Sequence, residues 1–340
     1  VAIAILMLPL LRIGGMQLFR IERSDTTEER SSSTLKTILE LFGVYALLTS
    51  VCAFLYFSFG MSLFDAVAHS MATLSTGGYS THDASFGYFK NGSLHWIGTI
   101  FMLCGAIPFY LYIRTVRGDC RSLFTDQQVR GFILFVILAS IAMAIWLVES
   151  RNVGFFEALT LTSFNVTSVV TTTGFASDDY TAWGPGAVGI FLILMFIGGC
   201  SGSTSGSIKI YRLQILIMIV RAHLGRLVSP NRVIVLKYNG EALPDDVPYS
   251  ILAFLAVFVA TIAVFTVALG LMGLDIVTAY SASVTAITNV GPGLGSIIGP
   301  AGNFQPLPDG AKWILSFAML AGRLEVLALL VAFDRNFWRF

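Results

Sequence analysis

Residues 154–177 read GFFEALTLTSFNVTSVVTTTGFAS. A mildly amphipathic apolar run leads into a string of small hydroxyl residues and closes on Gly174 and Phe175. Apolar segments flank it on both sides, and a bilayer span takes roughly 20 apolar residues. The same layout occurs twice more: residues 63–80 end in LSTGGYS, and residues 274–295 end in TNVGPGLG. Three dips of this kind, each between two apolar segments, have the form of a repeated pore loop. They imply an ion-conducting membrane protein.

Composition points the same way. Of 340 residues, 55% are hydrophobic and 12% charged. A soluble domain carries about 25% charged residues, so the expected solvent is a bilayer. Apolar runs fall at 35–60, 95–113, 131–148, 186–200, 210–220, 250–273 and 313–333. A net charge of +1 gives no basic footprint for nucleic acid. Cys52, Cys104, Cys120 and Cys200 are scattered without CxxC spacing, so neither a metal site nor a disulfide framework is expected. The four histidines His69, His82, His95 and His223 show no HExxH spacing, and His69 is expected to be a packed side chain of a re-entrant helix. GxxxxGK[ST] and GxSxG are absent, and no nucleophile–base pair or acidic dyad stands out in the spans, so the chain is not expected to be an enzyme.

In chain order, an apolar run of eleven residues stops at Arg12, half a span. Residues 1–33 therefore read as the end of a first unit, otherwise missing, and a cytoplasmic connector. A second unit covers 34–126: outer helix 34–60, re-entrant helix 63–74, turn 75–80 and return helix 94–123. A third covers 127–237, with 128–150, 154–171, 172–177 and a long last segment 186–228. A fourth covers 247–340, with 248–273, 274–287, 288–295 and 311–333. The predicted fold class is an all-α polytopic membrane protein of helix–pore loop–helix units around one pore.

Charge placement orients these units. Seventeen of the lysines and arginines sit in the connectors between units or in the tail: five in 12–36, four in 114–130, six in 209–237, and Arg335 and Arg339. Beside the pore loops stand only Lys90, Arg151 and Lys312, and Arg323 lies within a span. By the positive-inside rule the unit connectors and the C-terminus are cytoplasmic and the pore loops open outward. Trp96, Trp183 and Trp313 are expected at outer interfaces and Trp338 at an inner one.

The turns suit a cation. Non-helical backbone is tolerated at membrane depth only where protein or water satisfies it, and consecutive carbonyls aimed at an axis can replace an ion's hydration shell. The candidate ion-binding residues are Ser75, Thr76, Gly77 and Gly78; Thr171, Thr172, Thr173 and Gly174; and Thr288, Asn289, Val290 and Gly291. Each re-entrant helix enters from outside, so its partly negative C-terminus faces the membrane centre. Asp65, Glu157 and Asp275 stand near the opposite, positive ends and are expected to complement them.

A second interruption, GGCSGSTSGSIK at 198–209, breaks a single apolar stretch of about forty residues. One reading is a glycine–serine kink or short external loop. The favoured one is an intramembrane loop below the turns that acts as a gate, with Gly198, Gly199, Gly202, Ser203, Ser205, Gly206 and Lys209 as its residues. Arg323 is the notable intramembrane charge, since arginine at mid-membrane costs at least ~2.5 kcal/mol on insertion scales. Either it pairs with Glu325 or lies near the inner interface, or it faces the pore below the turns and contacts the 198–209 loop.

Together TTTGFAS, LSTGGYST, TNVGPGLG, GGCSGSTSGSIK and AGRLEVL (321–327) resemble the Trk/Ktr/HKT superfamily of potassium transporters, and within it the bacterial TrkH-type membrane subunit. The resemblance covers essentially the whole chain. It implies four repeats around one pore with one filter glycine from each, here Gly78, Gly174 and Gly291. The last turn departs from the others, with Asn289, Val290 and Pro292 where Thr172, Thr173 and Phe175 stand. A single glycine per repeat implies fewer ion sites and looser selectivity than a double-glycine filter. The implied function is potassium uptake across the bacterial cytoplasmic membrane, with sodium passage as a further expectation; the alternative is a proton- or sodium-coupled carrier. Potassium ion held by filter carbonyls is the transported species, and no covalently bound cofactor is implied. The implied partners are a second copy in a homodimer, membrane lipid, and a cytosolic nucleotide-binding ring subunit docked on 209–237; nucleic acid is not among them.

Overall fold

The computed structural model describes residues 34–229, 231 and 234–333. The expected end of a first unit, its connector through residue 33, and the tail with Arg335, Trp338 and Arg339 lie outside the described residues. The fold is all-α apart from one two-stranded ribbon. Its first third holds α1 (Thr34–Ser58), α2 (Leu63–Leu74), α3 (Gly92–Ala106), α4 (Phe109–Val116) and α5 (Cys120–Thr125). Then come α6 (Gln127–Arg151), α7 (Phe155–Val170), α8 (Pro185–Leu194) and α9 (Ile210–Val228). The ribbon β1 (Lys237–Tyr238) and β2 (Glu241–Ala242) precedes α10 (Asp246–Leu271), α11 (Ile276–Thr288), α12 (Asp309–Arg323) and α13 (Val326–Phe333). Within these bounds α1 from Ile38, α6 and α10 are long and apolar enough to cross a membrane.

Local chemistry sets the starts of the short helices. Ser62 Oγ accepts from Asp65 N at 3.1 Å to cap α2, and Asp275 accepts from Thr278 N at 3.0 Å to cap α11. Asp65 and Glu157 fall in the first turns of α2 and α7, where a carboxylate complements the positive helix end. Each long helix then packs beside the short one that follows it: α1 beside α2, α6 beside α7, and α10 beside α11.

Two of the expected helices are broken. The return helix read at 94–123 is α3 and α4, bent by 92°. Pro108 has no N–H to continue the ladder, and Phe109 N donates instead to Gly202 O at 3.2 Å. The segment read at 311–333 is α12 and α13, parted at Leu324 and Glu325, with Glu325 left-handed at φ 51°. The long segment 186–228 is interrupted between α8 and α9. Trp183 is packed inside the protein: it is 3% exposed, donates to Asp178 Oδ2 at 2.6 Å, and packs on Tyr180 and Phe191. Trp313 is exposed, and Trp96 donates to Thr160 Oγ1 at 3.1 Å.

Packing concentrates around the short helices. Phe86, Phe164 and Phe175 are all buried, with ring centroids 4.6 Å (Phe86–Phe175) and 4.9 Å (Phe86–Phe164) apart. Small residues let helices approach closely in membranes, and Gly98 on α3 is such a point. A Cβ there would lie 2.9 Å from Phe164 Cε2 and 3.2 Å from the Tyr56 hydroxyl. Gly98→Leu is therefore expected to cost about 1–3 kcal/mol by overpacking, read as a lowered Tm of the purified protein.

Candidate functional site

The three short helices end in the same way. Thr76, Thr172 and Asn289 adopt left-handed φ of 50°, 57° and 58°, and two residues later Gly78, Gly174 and Gly291 do so at 66°, 86° and 111°. Between them Gly77, Thr173 and Val290 donate back to Ala72, Ser168 and Thr285 carbonyls at 2.8, 2.8 and 3.2 Å. Thr76, Thr172 and Asn289 donate to Thr73, Val169 and Ala286 at 3.2, 3.0 and 3.3 Å. This pair of bonds is the Schellman closure of a helix C-terminus, in which the left-handed place usually belongs to glycine. Asparagine tolerates it, but a β-branched threonine there is strained by about 1–2 kcal/mol.

Successive turns interlock. A Cβ on Gly78 would overlap the Thr173 carbonyl oxygen, and one on Gly174 would overlap that of Val290. Each glycine thus lets its turn lie against the backbone of the next. Around Gly291, among the described residues, only Gly174 Cα comes close, at 3.7 Å.

The chain leaving each turn is tied back to its own helix. His69 Nε2 and Ser80 Oγ are 2.9 Å apart. Asn165 Nδ2 donates to Ser177 Oγ at 2.8 Å, and Ser168 Oγ to Phe175 O at 2.6 Å. Thr285 Oγ1 accepts from Gly291 N at 3.0 Å, and Ser281 Oγ donates to Leu294 O at 3.0 Å. At the start of α2, hydrogen bonds from Thr81 (2.6 Å) and Ser62 (2.8 Å) hold the Asp65 carboxyl below the usual carboxylate range. Thr171 and Thr173 bond each other at 2.8 Å through their hydroxyls, whereas the Ser75 hydroxyl turns back toward Ala72 O of its own helix, at 3.5 Å.

Residues 198–209 pass against all three turns. The Thr76 hydroxyl lies 2.9 Å from Thr204 O, Thr204 Oγ1 lies 3.1 Å from Leu74 O, and Gly206 N donates to Thr172 Oγ1 at 2.6 Å. At Gly206 an added Cβ would sit 2.8 Å from Thr288 O and 3.2 Å from Asn289 Cβ. The strained Thr76 and Thr172 are therefore the residues whose hydroxyls reach the loop. The broken α3–α4 corner meets it too: Cys200 N donates to Ala106 O at 2.9 Å and Thr204 N to Gly105 O at 3.2 Å. Gly198 and Gly199 approach the Gly206 carbonyl and Ala106, and Gly202 is left-handed at φ 76°. Ser203 and Ser205 bond each other at 2.7 Å, and Lys209 Nζ donates to Ser205 O, so these three act within the loop.

Arg323 ends α12 and donates from Nη1 to Thr204 O at 2.9 Å. It does not pair with Glu325, which bonds Arg212 at 2.5 Å. The sequence reading took Arg212 only as one of the cations of the 209–237 docking stretch. Its one further signal was a cation one turn past the loop, on a helix with no other charge until Arg221.

The family model described as cation transport protein, TrkH, matches residues 1–339. This chain belongs to the TrkH family. The Trk system potassium uptake protein TrkI of Halomonas elongata is 48% identical over 340 residues, covering all of this chain and 69% of that protein. TrkH of Escherichia coli K12, also named a Trk system potassium uptake protein, is 36% identical over 349 residues, covering all of this chain and 70% of its own. The crystal structure of the potassium transporter TrkH from Vibrio parahaemolyticus superposes with a TM-score of 0.86 at 32% identity, covering 99% of this chain and 69% of that one. The TrkH-type resemblance and the all-α polytopic membrane fold read from the sequence both stand.

Gly78→Ala and Gly174→Ala each place a methyl on a neighbouring carbonyl and a side chain at left-handed φ, and are expected to cost about 3 kcal/mol or more. Gly189→Ala, in α8 with nothing within 4 Å of the new Cβ, serves as the neutral control. Thermal unfolding of the three variants separates them.

Proposed function

We propose that this chain takes up potassium through a pore in which the three turns form the filter and the 198–209 loop is the gate. The observation that carries the reading is that one loop reaches all three turns at once, at Thr76, Thr172 and the Thr288 carbonyl. The names of the relatives, potassium uptake proteins and a potassium transporter, supply the ion.

Each filter contribution would come from backbone carbonyls of residues 75–78, 171–174 and 288–291. Side-chain hydroxyls there are spent on one another, on the loop or on carbonyls of their own helices, which leaves the turn carbonyls as the ligands for a desolvated monovalent cation. A fourth turn would complete the ring beside Gly291. Helix C-termini pointing at the same place favour positive charge. A negative-inside potential contributes ~2.3 kcal/mol per charge per 100 mV, which drives uptake without chemical coupling. Sodium would pass less readily through the same carbonyls.

Arg323 adds a fixed positive charge at the loop and opposes cations while the loop is seated. A coupled carrier would call for a titratable group on the path; Arg323 is a guanidinium, which stays protonated, and the other cation at the loop, Lys209, is bonded to Ser205 O. In this reading the protein is a transporter without enzymatic activity, in the bacterial inner membrane with the unit connectors cytoplasmic. It is a homodimer whose basic 209–237 stretch receives a nucleotide-binding ring subunit that moves the loop.

Uptake of ⁸⁶Rb⁺ and ²²Na⁺ into vesicles holding the full-length protein tests this. Wild type is expected to accumulate ⁸⁶Rb⁺, and Gly174→Ser to lose uptake or admit ²²Na⁺ in competition. Uptake unchanged by Gly174→Ser would remove the filter assignment. Arg323→Ala is expected to raise flux in the absence of the ring subunit; flux equal to wild type would remove the gating role of the guanidinium.

A further inference from the structure

Beyond the loop itself, one pair of charges sits at its exit, the arginine buried and the glutamate half-buried. Arg212, on the first turn of α9, is 8% exposed. Its guanidinium carbon lies over the Phe254 ring of α10, 4.0 Å from the centroid, and the group bonds Glu325 between α12 and α13 at 2.5 Å. Glu325 is held at φ 51°, a conformation that a glutamate adopts only when its surroundings impose it. The corner that carries Glu325 makes two further contacts with the site. Gly322 lies against the Ile287 carbonyl of α11, where a Cβ would overlap it. Arg323 bonds Thr204 O in the loop.

Three of the four residues 322–325 therefore grip the last turn of α11, the middle of the loop and the helix into which the loop runs. A buried ion pair is weak evidence for stability, since an apolar pair of the same volume often serves as well; its best-attested use is to fix a register. Here the register is the height of α9 against α10 and the 322–325 corner. One guanidinium nitrogen, Nη1, is buried without a hydrogen bond among the described residues, so Arg212 is held by a single charged contact rather than a full set.

We propose that Arg212 and Glu325 are a positioning pair that keeps the 198–209 loop seated beneath the turns. This rests on the gating reading above. While the pair is closed, α9 is fixed at the depth at which Thr204 and Gly206 reach Thr76 and Thr172. A displacement of α9 that parts the pair withdraws the loop, so the pair is the point at which movement of the basic connector is converted into opening.

The test is a double-mutant cycle on ⁸⁶Rb⁺ flux in proteoliposomes of the full-length protein without any cytosolic partner. R212Q and E325Q are each expected to raise basal flux on the order of tenfold. R212Q/E325Q should leak no more than either single variant, because the pair can be broken only once. The double variant leaves no lone buried charge, so it decides by leak or no leak if a single variant fails to fold. Basal flux equal to wild type in folded variants, or effects that multiply independently, overturns the proposal. Deletion of Ser201–Ser205 separates the two levels. If that deletion raises flux and the pair variants do not, the pair has no positioning role and the gate stands; if the deletion leaves flux unchanged, the gating reading itself falls.

Discussion

Backbone polar groups at membrane depth must find partners inside the protein, and this structure is built around how three helix ends and one broken corner meet that demand. The ends of α2, α7 and α11 close on themselves through paired backward bonds. The corner between α3 and α4 has no such closure, because Pro108 interrupts it, and its Gly105 and Ala106 carbonyls accept from Thr204 and Cys200 instead. The 198–209 segment satisfies carbonyls that the rest of the fold leaves open. Its glycines are the residues whose missing side chains permit the approach, at Ala106 for Gly199 and at Thr288 for Gly206.

Strain and satisfaction are paired at the turns. Thr76 and Thr172 occupy left-handed places where glycine would cost less, and the same two hydroxyls contact the loop. A glycine at either place would relax the backbone and forfeit the contact. Residual strain at a site is a reason to look for function there, and here it coincides with the place where the interrupted segment meets the short helices.

Much of this was legible in the sequence. Small-residue strings after apolar runs placed the ends of the three short helices to within one residue, and glycine and serine density marked the interruption at 198–209. The bend at Pro108 was missed because the apolar run continues through it, and the partners that make the bend tolerable lie about ninety residues downstream. The break at Glu325 carries no glycine or proline of its own and is imposed by contacts from Arg212, more than a hundred residues away. Pairing Arg323 with Glu325 was the natural local guess, and the fold divides those two charges between the loop and α9. Such links depend on which helices meet, which periodicity does not report. Trp183 shows the same limit: its position suggested an interface, and the packing of Tyr180 and Phe191 buries it.

Thr204 joins through one residue what are otherwise separate parts of the chain. Its carbonyl receives Thr76 and Arg323, its hydroxyl reaches Leu74 and Gly105, and its amide donates to Gly105. Partial withdrawal would leave several of these groups unsatisfied in a setting with little water, and each orphaned group is costly. On the gating reading, a segment held in this way would leave its seat all at once or not at all. Breaking so many bonds together would give that departure a large activation enthalpy, so its rate would rise steeply with temperature.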